Sequence, residues 1–241
     1  MRTLLEQADR LLIGGHRGCA CQYPENSIQA MEEGLRQGAD YLEIDIQLTR
    51  DGIPVVYHDV RLEKKTALTG YVHEHTFSSL RAAAPGLATL EGAMEWGCSR
   101  DVYFALELKT VPLRMQAVNM ALAEKMLPVI KQSGMSGQVL VFGPDYQVLR
   151  RVKQLSPGTE IGLIVPFVPE DPVQLMRSMD ALVYLSYIYN MTPEIIDQLK
   201  RNGFYVSGAI LREQSWEQAA AELGVTMFES DEPGRVISQL R

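Results

Sequence analysis

Cysteine is scarce: three occur among 241 residues, at Cys19, Cys21 and Cys98. An odd, sparse set does not make a disulfide framework, and Cys19-Ala-Cys21 lacks the usual spacing of a zinc site. Reduced loop thiols are expected there. Positive charge is also short, with 23 basic against 30 acidic residues and a formal net charge of −7. Such a balance does not suit a polyphosphate backbone, so no nucleic-acid partner is expected. A small phosphate ester held by a few local cations stays compatible with it. No apolar run reaches the roughly 20 residues needed to cross a bilayer. The opening MRTLLEQADRLLIGG breaks its apolar patches with acids and has no signal-peptide core. Together these absences predict a cytoplasmic protein without a stable membrane anchor, and they leave the oligomeric state open.

What is present is a large apolar fraction, 46%, and a regular alternation. Strand-like runs occupy 11–15, 41–46, 102–109, 138–142, 160–165, 181–185, 204–210 and 225–230. Helical patterns separate them. Residues 26–37 open on Asn26 with Gln29 three later, a capping-box spacing, and stop at Gly38. A long apolar periodicity runs over 112–133. Thr192-Pro193 opens another helix that ends at Gly203, and Ser215 with Gln218 forms a further capping-box pattern. Eight strands each followed by a helix or loop predict a (β/α)8 TIM barrel, an α/β fold, as one catalytic domain over 1–241. Residues 59–88 are too polar and broken for one helix. They read as a small insertion after the strand-2 hairpin.

The stretch YLEIDIQLTRDGIPVVYHD (41–59) carries the sharpest signal. Alternation puts Leu42, Ile44 and Ile46 on one face and Glu43, Asp45 and Gln47 on the other. Asp51-Gly52 marks a two-residue hairpin turn, so 54–58 folds back antiparallel. With those two residues at the tip, paired residue numbers sum to 103 and Asp45 faces His58. The third strand repeats the pattern and ends in Glu107 and Lys109. The first strand ends in GGHRG, bringing His16 and Arg17 to the same C-terminal rim, where barrel active sites form. Glu25 follows in PENS. Carboxylates this close repel and raise one another's pKa, and a hard divalent cation, Mg²⁺ or Ca²⁺, relieves the conflict. Acids, a metal, two cations and two histidines suit hydrolysis of a phosphate ester. Taken singly, Glu107 and Lys109 could simply pair, Arg17 could be a structural salt-bridge partner, and Glu25 could merely support its helix. His73 and His75 read as surface residues, and Tyr184, Tyr187, Tyr189 and Trp96 as packing residues, with a pocket-lining role open for some of YLSYIYN (184–190).

These segments, HRGCACQYPENS, GADYLEIDIQLTRDGIPVVYHD, LEKKTALTGYV, ATLEGAMEW and FALELK, resemble the glycerophosphodiester phosphodiesterases over roughly the first half of the chain. The resemblance implies a barrel with a small insertion. It implies hydrolysis of glycerophosphodiesters to sn-glycerol 3-phosphate and an alcohol, with one divalent cation. Carried over by motif, Glu43, Asp45 and Glu107 are the metal ligands, and His16 and His58 the general acid and base. Arg17 and Lys109 contact phosphate, and Glu25 is a support or further ligand. The resemblance also points to the glycerol hydroxyl, rather than water, as first attacker, giving a cyclic phosphate. The second half departs from the family pattern. VSGAILREQ stands where a Trp-Thr-Val-Asn-like stretch is usual, and Val141-Phe142 where Ser-Phe is expected. GVTMFESDEP replaces a Gly-Val-Asp-Gly…Thr-Asp-Arg-Pro pattern, keeping Asp231 and Pro233. Substrate preference is therefore open. A sugar phosphodiester remains an alternative, as does a lysophospholipid reached through an apolar channel framed by the insertion, Met176, Met179 and Tyr184. A non-catalytic phosphodiester-binding barrel is the third.

Overall fold

A computed structural model describes residues 1–110, 112–208 and 213–241. Ten strands form in chain order. They are β1 (Leu12–His16), β2 (Tyr41–Leu48), β3 (Pro54–Val56), β4 (Ala88–Thr89), β5 (Phe104–Leu108), β6 (Val139–Gly143), β7 (Glu160–Ile164), β8 (Val183–Ser186), β9 (Tyr205–Gly208) and β10 (Met227–Ser230). Eight of them run parallel in the order β1-β10-β9-β8-β7-β6-β5-β2, and β1 pairs β2 to close the barrel. The expected (β/α)8 TIM barrel is therefore what forms. Strand β3 pairs antiparallel with β2, and β4 with β3, as a ribbon on the outside of the ring. Of the expected seventh strand, 204–210, residues 209–210 lie outside the described residues, as do 209–212 of VSGAILREQ.

β2 is buried along its whole length, as a strand covered on both faces must be. Ile13, Leu42, Ile44, Ile46, Leu106 and Val141 face the surrounding helices. Tyr41, Ala105, Leu140, Phe142, Leu185 and Met227 form an inner cluster, joined by Leu5 of the N-terminal helix Arg2–Gln7 and by Met1 at its N-cap. Residues 59–88 contain two 3-10 turns and the helix Phe77–Ala83, gathered on a small apolar cluster of Val55, Leu62, Val72, Leu80 and Leu87. No described helix is long and apolar enough to cross a membrane.

Three local expectations need correction. The hairpin pairs Ile46 with Val56 and Leu48 with Pro54, so paired numbers sum to 102 rather than 103. Thr49 N–H bonds Ile53 O, Gly52 N–H bonds Thr49 O, and Gly52 takes φ +77°. The turn is thus a three-residue loop whose last residue is left-handed, a conformation glycine adopts freely. Asp45 consequently lies opposite Tyr57, whose N–H it receives at 2.9 Å, and not opposite His58. The helix expected from Asn26 is Ile28–Arg36, with Ser27 as its cap receiving Ala30 N–H. The last of the three is the Ser215 box: helix Gln214–Leu223 has Glu213 at its cap position, without a side-chain hydrogen bond. Thr192 and Pro193 do open Pro193–Arg201 as expected.

Candidate active site

The turn after β1 begins the site. Arg17 has φ +52° and Gly18 φ +88°. A Cβ at Gly18 would lie 2.4 Å from the Ala30 carbonyl carbon, so the chain passes too close to the next helix for a side chain. This tight bend aims Arg17 N–H at Glu43 Oε2, 2.9 Å away. The Arg17 guanidinium meets Glu25 at 2.9 Å and stands 3.4 Å from Asp45 Oδ2. In the barrel, His16 neighbours Glu43, and Asp45 neighbours Glu107. Glu43, Asp45 and Glu107 each offer an oxygen within 4.8 Å of the others. Lys109 Nζ bridges two of them, at 2.6 Å from Glu107 and 2.9 Å from Asp45.

Electrostatics separates the acids. Burial, reinforced by Asp45 and Glu107, drives Glu43 well above the usual carboxylate range. Burial would raise Asp45 too, but Lys109 and Arg17 outweigh it and hold its carboxyl below its ordinary value. Burial raises Glu107 against the pull of Lys109. Burial opposes the charge on Lys109, yet Asp45 and Glu107 push it up to about 12. Glu43 Oε1 is buried and accepts no hydrogen bond, while Asp45 Oδ1, also buried, meets only the Lys109 ammonium. Buried acceptors left this way are costly. An all-oxygen set with unused lone pairs fits a hard divalent cation.

The two histidines are built alike. His16 Nδ1 lies 2.6 Å from Asp231 Oδ1, and its Nε2 lies 3.9 Å from Glu43 Oε2. His58 Nδ1 lies 3.2 Å from Asp59 Oδ1. An acid accepting Nδ1–H fixes the tautomer and leaves Nε2 to act, an assignment made from the hydrogen bonds. Burial lowers the pKa of both rings. His58 keeps its place despite the shifted hairpin because Gln47 Nε2 donates to the carbonyls of Tyr57, His58 and Asp59 at 2.8, 3.3 and 3.0 Å.

His16, Arg17, Glu43, His58, Glu107 and Lys109 line one cavity of about 420 Å³, beneath which Asp45 is fully enclosed. Glu25 stands apart from the three acids. It is held by Arg17 and Lys65 and groups with His58 and Asp59. His75 Nε2 meets Thr69 O and His73 stacks on Tyr71, so these two do not pair as ligands. Cys19 and Cys21 are free, as expected.

Several contributors were not singled out by the sequence. Asn26, a presumed cap, is left-handed at φ +61° and grips Asp45 twice, donating to Oδ2 at 2.7 Å and accepting Asp45 N–H at 3.1 Å. Asn is among the few residues that take this conformation readily. Gln47 shared a face with Glu43 and Asp45, which was its only signal. Asp231 reaches His16 from 215 positions away. Glu229, on β10, lines the cavity from below, where burial raises its carboxyl to about 8.

An acidic centre flanked by two aspartate-backed histidines at the C-terminal mouth of a parallel barrel defines a phosphodiesterase-type site. The profile of the Glycerophosphoryl diester phosphodiesterase family matches residues 16–235. The chain belongs to that family. A glycerophosphodiester phosphodiesterase of Caldanaerobacter subterraneus is 26% identical over 243 residues, covering 96% of this chain and 98% of that protein. A human lysophospholipase D is 22% identical over 264 residues, covering 92% of this chain and 83% of that protein. A phosphodiesterase of Oleispira antarctica, solved with the product sn-glycerol-3-phosphate, shares the fold at TM-score 0.87 and 23% identity, covering 94% of this chain and 95% of that one.

Proposed function

We propose that the protein hydrolyses glycerophosphodiesters to sn-glycerol 3-phosphate and an alcohol, with one divalent cation, Mg²⁺ or Ca²⁺. The observation that carries this reading is the meeting of Glu43, Asp45 and Glu107 beside His16 and His58. The activity named for the Caldanaerobacter relative, and the product held by the Oleispira phosphodiesterase, support it. Glu43, Asp45 and Glu107 would hold the cation, which when bound supplies charge stabilisation at the phosphoryl oxygens.

The chain's own groups do the rest. Arg17 and Lys109 present cations to the phosphate. One imidazole, neutral at Nε2, takes the proton of the attacking glycerol hydroxyl while the other protonates the leaving alcohol oxygen, giving a cyclic phosphate. Water then opens the ring to glycerol 3-phosphate, with the two imidazoles in reversed roles. Burial favours the neutral ring in both. A phosphate anion beside one of them favours its protonated form, which equips it as the acid. Asp231 and Asp59 stabilise the imidazolium that forms on each side. Asn26 and Gln47 keep Asp45 and the His58 loop in place.

A second reading has one observation behind it. His58 also borders a cavity of about 460 Å³ reaching toward the 59–88 segment and lined by Tyr23, Val56, Tyr57 and Leu87. Apart from Glu25, Lys65 and a few polar groups on its rim, that space is apolar and suits an acyl chain carried on the glycerol, as in the lysophospholipid substrate class of a lysophospholipase D. Met176, Met179 and Tyr184 do not frame it, because all three are buried in the outer core. A panel of glycerophosphocholine, glycerophosphoethanolamine, a sugar phosphodiester and lysophosphatidylcholine, run with Mg²⁺, Ca²⁺ and EDTA, decides between them. Release of glycerol 3-phosphate from the first two supports the main reading. Turnover of lysophosphatidylcholine or of the sugar diester alone replaces it, and binding without any turnover leaves only the phosphodiester-binding barrel.

A further inference from the structure

We infer that Glu229 is a specificity-determining residue whose carboxyl group hydrogen-bonds a hydroxyl at the far end of the substrate's polyol arm. This rests on the phosphodiesterase reading and adds to it the residue that recognises the arm.

The barrel's own register places Glu229. It neighbours Gly14 on β1, which neighbours Tyr41 on β2. His16, two residues after Gly14, neighbours Glu43. Two residues along a strand span about 6.6 Å. Glu229 therefore stands one interior layer below the layer of His16 and Glu43, at the reach of a three-carbon arm hung from a phosphate held there. It lines the same cavity as the reacting groups.

The layer is built for this side chain. Tyr41, fully buried, donates its hydroxyl to Glu229 Oε1 at 3.2 Å. The Tyr41 ring lies so close over Gly14 that a Cβ there would sit 2.4 Å from it. One carboxyl oxygen is thus oriented by Tyr41 across the same layer. Beneath Glu229 lies a void of about 10 Å³, lined by Ala105, Leu140, Val183 and Met227 among others. That is barely room for one water. Glu229 is consequently the floor, and a substrate arm reaches it and goes no deeper.

The rest of that wall offers little else to a hydroxyl. Phe142, Ile164, Val165 and Leu185 are apolar. Ser186 gives its proton to the Val165 carbonyl at 2.5 Å. Tyr187 sits at the open lip, 44% exposed. Among the described residues, Glu229 is the ionisable side chain at depth on this side. It lies two residues before Asp231, so one strand end brings both groups to the pocket.

The test compares a glycerophosphodiester with the corresponding diester of propane-1,2-diol, which keeps the hydroxyl next to the phosphate-bearing carbon and lacks the terminal one. The wild-type protein should prefer the first by roughly ten- to a hundredfold in kcat/KM, the scale of leaving a buried polar group without its hydrogen-bond partner. Glu229→Leu should bring the two substrates to within about threefold, mainly by raising KM for the glycerol compound. Glu229→Gln, which keeps the size and can still hydrogen-bond, should restore part of the preference. A merely structural role would slow both substrates equally and leave the ratio unchanged, which overturns the inference. Wild-type protein inert toward both substrates would overturn the phosphodiesterase reading itself. Should Glu229→Leu fail to fold, the ratio for Glu229→Gln decides alone, an unchanged ratio counting against the inference.

Discussion

The two halves of the barrel mouth are made differently. On the side of β1, β2 and β5, nearly every inward group is ionisable and held by several partners. Asp45 alone is touched by Asn26, Arg17 and Lys109. On the side of β6 to β8 the wall is Phe142, Ile164, Val165 and Leu185, with Phe167 and Val168 exposed beyond it. The first half can hold charge and move protons, while the second can only shape space. β10 joins them, giving Asp231 to the histidine and Glu229 to the floor. On the proposed reading, chemistry belongs to β1, β2 and β5 and selectivity to the far wall, with β10 serving both, and substitutions should sort accordingly into losses of kcat and changes of KM.

The largest effect belongs to the charged half. Glu43→Gln should lower turnover at least about a thousandfold, since several kcal/mol of charge stabilisation go with the cation. Its melting temperature should hold or rise, because a buried acid repelled by Asp45 and Glu107 is removed. Thermal unfolding beside steady-state kinetics checks both. His58→Ala should follow, at about a hundred- to ten-thousandfold in kcat. Near-normal turnover would remove His58 from the mechanism.

Asn26→Ala comes next. It strips two bonds from buried Asp45 and should cost about 1–3 kcal/mol of stability, with kcat down about tenfold. Chemical denaturation measures the first part. Unchanged kcat would show that Asp45 does not need its strut. On the other half, Tyr187→Ala should move KM about two- to fivefold and leave kcat alone, since the ring lies at the exposed lip. A large loss of kcat there would erase the division between the halves.

The same division explains what could be read in advance. Glu43, Asp45, Glu107 and Lys109 lie on strands whose alternation is visible in the letters, and His16 and Arg17 end a strand. Their meeting follows from strand order alone. The hairpin was legible as a hairpin, but its pairing depended on whether Gly52 was the second or third residue of the loop. Asn26 was hidden because a cap and a left-handed strut use the same residue type one position apart. Asp231 and Glu229 act across the seam where β10 closes on β1, and no local pattern shows that contact. The shape of the far wall depends on which residues of β6 to β9 turn inward, which closure decides.

The central claim is that acids of β2 and β5 hold one divalent cation. Calorimetric titration of Mg²⁺ or Ca²⁺ into EDTA-treated protein, with glycerol 3-phosphate release followed on the same samples, tests it most directly. The account predicts one ion per chain for the wild type, activity returning in step with occupancy, and loss of both in Glu43→Gln and Glu107→Gln. Full turnover in EDTA, or ion binding untouched by those two substitutions, would contradict it.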